Sequence, residues 1–254
     1  MALTDANIMN TYRRTPIALV RGQGARVWDA GGRQYLDFLA GIAVCNLGHA
    51  HPAVVDAVRR QAGELMHVSN LYYTNPQAEV ARILVERSFA DKAFFCNSGA
   101  EANEAAIKLA RKYAHENLGP DKYELITMKD SFHGRTMATI TATGQEKFQF
   151  GFTPLLDGFR YIPFNNPEAL EAAITPRTCG VMLEPIQGEG GVIIPDDDYL
   201  ARVREICDRH KILMIVDEVQ TGIGRTGKLF AYEYSGVKPD IMTLAKALGN
   251  GFPV

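Results

Sequence analysis

What this 254-residue chain lacks narrows its chemistry first. Cys45, Cys96, Cys179 and Cys207 are scattered, with no CxxC pair and no metal-like spacing, a pattern of free thiols in a reducing compartment. His49 and His51 stand two apart in GHAHP with no third ligand evident, so no metal is expected; a turn with a helix start is their expected role. The net charge is only −2, which gives no electrostatic reason to expect nucleic acid or a membrane surface as partner. The N-terminal MALTDANIMNTYRR lacks the apolar region of a signal peptide, and no run approaches transmembrane length. Internal repeats, low-complexity tracts and linkers are also missing. A soluble, cytoplasmic protein is expected, long enough for one large α/β domain.

The most informative stretch that is present runs from Ile212 through Asp217, Glu218 and Gln220 into TGIGRTG. Five apolar residues, rich in β-branched side chains, read as a buried parallel strand. In open α/β sheets the carboxyl ends of strands open onto the ligand crevice, so Asp217 and Gln220 are expected to point into a site. Ile241–Leu244 is a second apolar run, and Lys246 sits just past its end, before ALGNGFP.

In chain order, residues 16–40 alternate apolar stretches with RGQG and DAGG, which predicts a small antiparallel ribbon. Helices follow from His51-Pro52 and over residues 76–90. Strands and helices then alternate: a strand at 93–96, a helix over 99–114 with Ala106, Leu109, Ala110 and Tyr113 as its core face, and a strand at 124–128. A helix start at Gly134, a strand at 159–162, a helix from Pro167, a strand at 181–184, a helix from about Asp197 and the 212–217 strand complete the series. Such alternation argues for βαβ units and a mainly parallel sheet with flanking helices.

Four loops at strand ends carry candidate chemistry. Ser98 and Glu101 fit a capping box, and the amides of Gly99 and Ala100 at the same helix start suit an anion such as phosphate. In Ser131-Phe132-His133-Gly134-Arg135, the aromatic could stack on a flat ring and the guanidinium could bind a carboxylate. In the glycine-rich EPIQGEGG, Glu184 ends a strand while Glu189 sits in the loop and is the better functional candidate. Gly222-Ile-Gly224-Arg-Thr-Gly227 matches G-x-G-x-x-G, but the strand–turn–helix context of a dinucleotide site is missing. A phosphate cradle, a stacking aromatic, an acid at one strand end and a lysine at another form the set that pyridoxal phosphate requires.

FCNSGAEANEAA, SFHGRT, EPIQGEGG, DEVQTGIGRTG and LAKALGNGFP resemble, in order, the motifs of class III (subgroup II) pyridoxal-phosphate aminotransferases, and in particular the acetylornithine/succinylornithine branch. The likeness runs from about Thr11 to the last residue. It implies the type I pyridoxal-phosphate fold, with residues 1–60 a ribbon-and-helix part of a small domain and 61–254 a large cofactor-binding domain. It implies a homodimer with shared active sites. Lys246 would hold the cofactor and shuttle the proton, and Asp217 would keep the ring nitrogen protonated. Ser98, Gly99 and Ala100 would bind the phosphate, Phe132 would stack on the ring, and Glu218, Val219 and Gln220 would complete the cofactor site, Gln220 at the phenolic oxygen. Arg135 would take the substrate α-carboxylate, and Glu189 would line the amino-acceptor side.

The implied reaction moves the terminal amine of N-acetylornithine to 2-oxoglutarate, as in arginine biosynthesis. Ile42 stands where ornithine aminotransferases carry a tyrosine for the free α-amino group, which favours an acylated substrate. Succinylornithine, ornithine and other ω-amino acids are alternatives, as is a decarboxylase or aminomutase on the same fold. Family members run past Val254 through a partner-subunit phosphate contact, an arginine for the Glu189 position and a C-terminal domain. A catalytically incompetent large-domain fragment is the alternative from another class, and the chain ending at Val254 is expected to be inactive on its own.

Overall fold

The computed structural model describes all residues from Met1 to Val254. They form two compact units, Met1–Ser69 and Asn70–Val254. In the first, β1 (Leu19–Gln23), β2 (Arg26–Asp29) and β3 (Gln34–Leu36) make an antiparallel ribbon. The RGQG and DAGG signals are its two reversals. Gly24 takes the left-handed conformation with φ 55°, which glycine adopts without a Cβ penalty. Asp29 Oδ1 accepts from the amides of Gly31 and Arg33, each at 2.9 Å, and ties the second turn. The Pro52–Glu64 helix follows, with proline in its first turn.

The second unit holds a wholly parallel five-stranded sheet: β4 (Glu124–Met128), β5 (Phe159–Ile162), β6 (Thr178–Leu183), β7 (Leu213–Asp217) and β8 (Ile241–Thr243), in the order β5-β4-β6-β7-β8. Alternating side chains feed two apolar layers, as a pleated strand buried on both faces requires. Val181, Leu183, Met214 and Val216 pack with Leu200, Val203 and Ile206 of the Tyr199–His210 helix. Leu125, Met182 and Ile215 face Ala106, Ile107 and Ala110 of the Gly99–Asn117 helix. No helix is long and apolar enough to cross a membrane.

The order of the strands places a site. From β4 the chain steps to β5 on one side, then returns past β4 to β6, β7 and β8 on the other. Ligand crevices of open α/β sheets lie outside the carboxyl ends of strands at such a reversal.

Several expectations need correction. Residues 93–96 form no strand and no helix, and the apolar run has no ladder partner. On the Gly99–Asn117 helix, Leu109 and Tyr113 are 55 % and 45 % exposed. The buried stripe is instead Asn103, Ala106, Ile107, Ala110 and Ala114, which keeps the i, i+3, i+4 spacing but turns it toward the sheet. The helix after β4 begins at Met137 behind the Thr136 cap rather than at Gly134. β6 starts at Thr178, three residues before the expected Val181, so Glu184 lies just beyond it.

Candidate active site

Glycines bring the strand-end loops together by leaving out a side chain. A Cβ on Gly99 would lie 2.8 Å from Val219 Cγ1 and 3.4 Å from Ala245 Cβ. On Gly134 it would lie 2.9 Å from Ala100 Cβ, and on Gly188 1.5 Å from Gln220 Oε1. Residues after β4, β6, β7 and β8 and the start of the Gly99–Asn117 helix therefore converge on one place.

At its centre is Asp217, the last residue of β7 and 3 % exposed. Its Oδ2 accepts from Asn103 Nδ2 at 2.7 Å and lies 2.7 Å from His133 Nδ1, while Oδ1 accepts from the Val219 amide at 2.9 Å. A buried carboxylate is costly unless so held, and each charge-assisted bond contributes about 1.5–3 kcal/mol. Burial pushes the His133 imidazole down, but its bond to Asp217, with the charges of Asp217 and Glu184, outweighs this and holds it above its ordinary pKa. The ring is therefore a donor to Asp217 through Nδ1, and its buried Nε2 has no partner. The Asn103 amide also bonds the His133 carbonyl at 2.7 Å, which locks the pair.

Lys246 opens a short 3-10 turn after β8, in a left-handed backbone conformation with φ 44°. A non-glycine residue there is strained, and such strain persists only where surrounding structure enforces it. Burial holds its amine below the ordinary lysine pKa, against the pull of Asp217, Glu189 and Glu184 in that order. The amine is thus half-buried within the field of three carboxylates.

Ser98 caps the Gly99–Asn117 helix: its Oγ accepts from the Glu101 amide at 3.2 Å. The Glu101 carboxylate reaches one residue further back than a capping box would, to the Asn97 amide at 2.5 Å. The first intrahelical bond runs from the Ala102 amide to the Ser98 carbonyl. This leaves the amides of Gly99 and Ala100 among the free donors at the positive end of a 19-residue helix, a ready anion site.

Phe132 stands edge-on to Phe148 with centroids 5.3 Å apart, and the Arg135 guanidinium lies 4.9 Å over Phe148 and 5.8 Å over Phe132. Arg135 and Glu189 are exposed. Glu184 is buried, and burial pushes its pKa up to about 7, against His133, whose charge lowers it.

The candidate residues do not all converge. Ser98, Gly99, Ala100, Phe132, Asp217, Val219, Gln220 and Lys246 sit at the carboxyl end of the sheet. Glu218 is the exception in side-chain direction. Its carboxylate accepts from Thr221 Oγ1 at 2.5 Å and from the amides of Ala231 and Tyr232 at 3.0 and 2.7 Å. Adjacent residues of an extended strand face opposite ways, so Glu218 anchors the 218–232 segment and its carboxylate does not reach the cluster around Asp217. The glycines of Gly222–Gly227 lie in turns with no helix behind them, unlike a dinucleotide fingerprint. Asn103 and the role of His133 escaped the sequence reading. Asn103 falls on the apolar stripe of its helix, and a polar residue there is the signal that could have found it.

Residues 8–254 match the family model described as aminotransferase class-III. The chain is 60 % identical over 247 residues to an acetylornithine aminotransferase of Caldanaerobacter subterraneus subsp. tengcongensis, covering 97 % of this chain and 63 % of the relative. It is 56 % identical over 246 residues to one from Methanocaldococcus jannaschii, covering 97 % and 62 %. It spans about three-fifths of the length of these curated relatives. Among solved structures, ornithine aminotransferase from Toxoplasma gondii superposes with a TM-score of 0.95 at 37 % identity, over 99 % of this chain and 61 % of that one. N-acetylornithine aminotransferase from Stenotrophomonas maltophilia does so at 0.85 and 47 %, over 99 % and 62 %. The α/β fold is that of these aminotransferases, and the chain belongs to the class-III aminotransferase family.

Proposed function

We propose that this chain carries the pyridoxal-phosphate site of a transaminase. The reaction moves the terminal amine of N-acetylornithine to 2-oxoglutarate and yields N-acetylglutamate semialdehyde and glutamate, as in arginine biosynthesis. The observation that carries the reading is the buried Asp217 carboxylate, fixed by Asn103, His133 and the Val219 amide, with the half-buried Lys246 amine in its field. The residues present fit the cofactor. Free amides of Gly99 and Ala100 meet an anion, and Gly99 and Gly134 keep the floor of the cradle free of side chains. The names of the curated relatives favour the acylated substrate over free ornithine.

When bound, pyridoxal phosphate supplies an electron sink for charge developing at the substrate's reacting carbon. Asp217, prevented from rotating by three donors, keeps a proton on the ring nitrogen. His133 Nδ1 and Asn103 Nδ2 would hold its Oδ2 in place. Lys246 would hold the cofactor through Nζ, and the burial that lowers its pKa makes more of the nucleophilic free amine available at neutral pH. The same Nζ, when free, would serve as the general base that lifts and returns the substrate's proton. Phe132 stacks on the ring, Gln220 meets its phenolic oxygen, and Ser98 fixes the helix end at the phosphate. Arg135 binds the α-carboxylate through its bidentate fork, which a lysine could not reproduce. Glu189 lines the amino-acceptor side. The working enzyme is a cytoplasmic homodimer acting on small molecules.

The test is glutamate formation from N-acetylornithine and 2-oxoglutarate, which Lys246→Ala should abolish. Release of carbon dioxide without glutamate would instead identify a decarboxylase.

A further inference from the structure

The loop after β6 is tied to the loop after β4 by hydrogen bonds of two buried side chains, Glu184 and Gln187. Glu184 Oε2 accepts from the Phe132 amide at 3.0 Å, and its Oε1 from the Gly188 amide at 3.4 Å. Gln187, with its side chain fully buried, donates from Nε2 to the Lys129 carbonyl at 2.8 Å. Its backbone pairs in both directions with Ile193, which closes the glycine loop on itself. A Cβ on Gly190 would lie 2.5 Å from the Asp130 carbonyl, so the two backbones touch there as well.

We propose that Glu184 and Gln187 are positioning residues that lock the 184–193 loop onto the 129–135 loop, so that Glu189 on one and Phe132 and Arg135 on the other hold a fixed separation. Fixed separation sets which substrates fit, because Arg135 and Glu189 would meet their opposite ends. The inference rests on the site assignment proposed above for its meaning in catalysis, but the lock itself is read without cofactor. Burying a carboxylate and an amide at a loop junction is otherwise unfavourable, and only the bonds they make across the junction offset that cost.

Hydrogen exchange of the chain as it stands measures the lock, since loop amides exchange through local opening. Gln187→Glu keeps the shape but loses the donor to Lys129, and Glu184→Ala removes both acceptor oxygens. Each should speed exchange at least about tenfold in 184–193 and also in 129–133, while β7 and the Gly99–Asn117 helix keep wild-type rates. Glu184→Gln retains one of the two acceptors and should restore part of the lost protection. A rise confined to 184–193 would show that the loops move independently, and a rise reaching β7 would show that these residues hold the whole fold. Either result, or a Glu184→Gln chain as loose as Glu184→Ala, overturns the proposal. Borohydride reduction of the wild-type chain with pyridoxal phosphate reads the parent assignment separately: coupled exchange without a pyridoxyl group on Lys246 would sink the assignment and leave the lock standing.

Discussion

His133 Nδ1 lies 2.7 Å from Asp217 Oδ2, with both side chains buried and 84 residues apart in the chain. The histidine leaves β4 and the aspartate ends β7, so the pair exists only because β6 separates those two strands in the sheet. The first expectation follows from it. Asp217→Asn keeps the shape and removes the charge that His133 answers. It should lower kcat/KM at least about thirtyfold, the equivalent of about 2 kcal/mol. Glu218→Gln should instead leave turnover near wild type and cost about 1–2 kcal/mol of stability, because its carboxylate holds the Ala231 and Tyr232 amides. Parallel assays and thermal melts check both; a Glu218→Gln enzyme that is stable but inactive would reverse the assignment of the two acids.

Asn103→Leu removes one donor from Asp217 and the tether to the His133 carbonyl. The variant should fold, because position 103 sits on the buried stripe of its helix. Turnover should fall about tenfold, in line with loss of a bond to a charged group. An unchanged rate would mean that His133 and the Val219 amide suffice.

Much of this arrangement was legible in the sequence, and the failures have physical reasons. β4 and β5 lie where their apolar runs predicted. β7 ends at Asp217 because a buried run cannot continue into carboxylates without a site to use them. Residues 93–96 read as a strand because an apolar run does not distinguish a ladder from unpaired chain. Leu109 and Tyr113 missed the core because an alanine-rich helix offers two stripes at helical spacing, and only the sheet chooses between them. His133 and Glu184 look like ordinary polar residues along the chain. Their burial arises where three strand ends meet, which no local pattern records.

Stability against pH should reveal Glu184. Its folded pKa of about 7 lies above its ordinary value of 4.5. The folded chain therefore keeps a proton that the unfolded chain releases, and stability from this group is lost as pH rises through that interval. Glu184→Gln cannot titrate. The wild-type minus variant difference in unfolding free energy should fall between pH 4.5 and 7, by an amount on the order of 3 kcal/mol at about 1.36 per pH unit. Denaturant melts across that range measure it; a flat difference would show that Glu184 titrates alike in the folded and unfolded chain.

Gly99→Ala places a methyl 2.8 Å from Val219 Cγ1. The cradle must open, and the free amides at the helix start move with it. Affinity for pyridoxal phosphate should weaken at least about tenfold, whereas Ser98→Ala should cost about 1 kcal/mol of helix stability through loss of the cap. Fluorescence titration with the cofactor separates the two; wild-type affinity in Gly99→Ala would move the phosphate elsewhere.

The most direct measurement concerns Lys246. The chain is incubated with pyridoxal phosphate, reduced with borohydride, digested and mapped by mass spectrometry. A single pyridoxyl group on Lys246, absent from Lys246→Ala, is the expected result. Label spread over surface lysines with Lys246 unmodified would contradict the assignment of this strand-end amine as the cofactor's anchor.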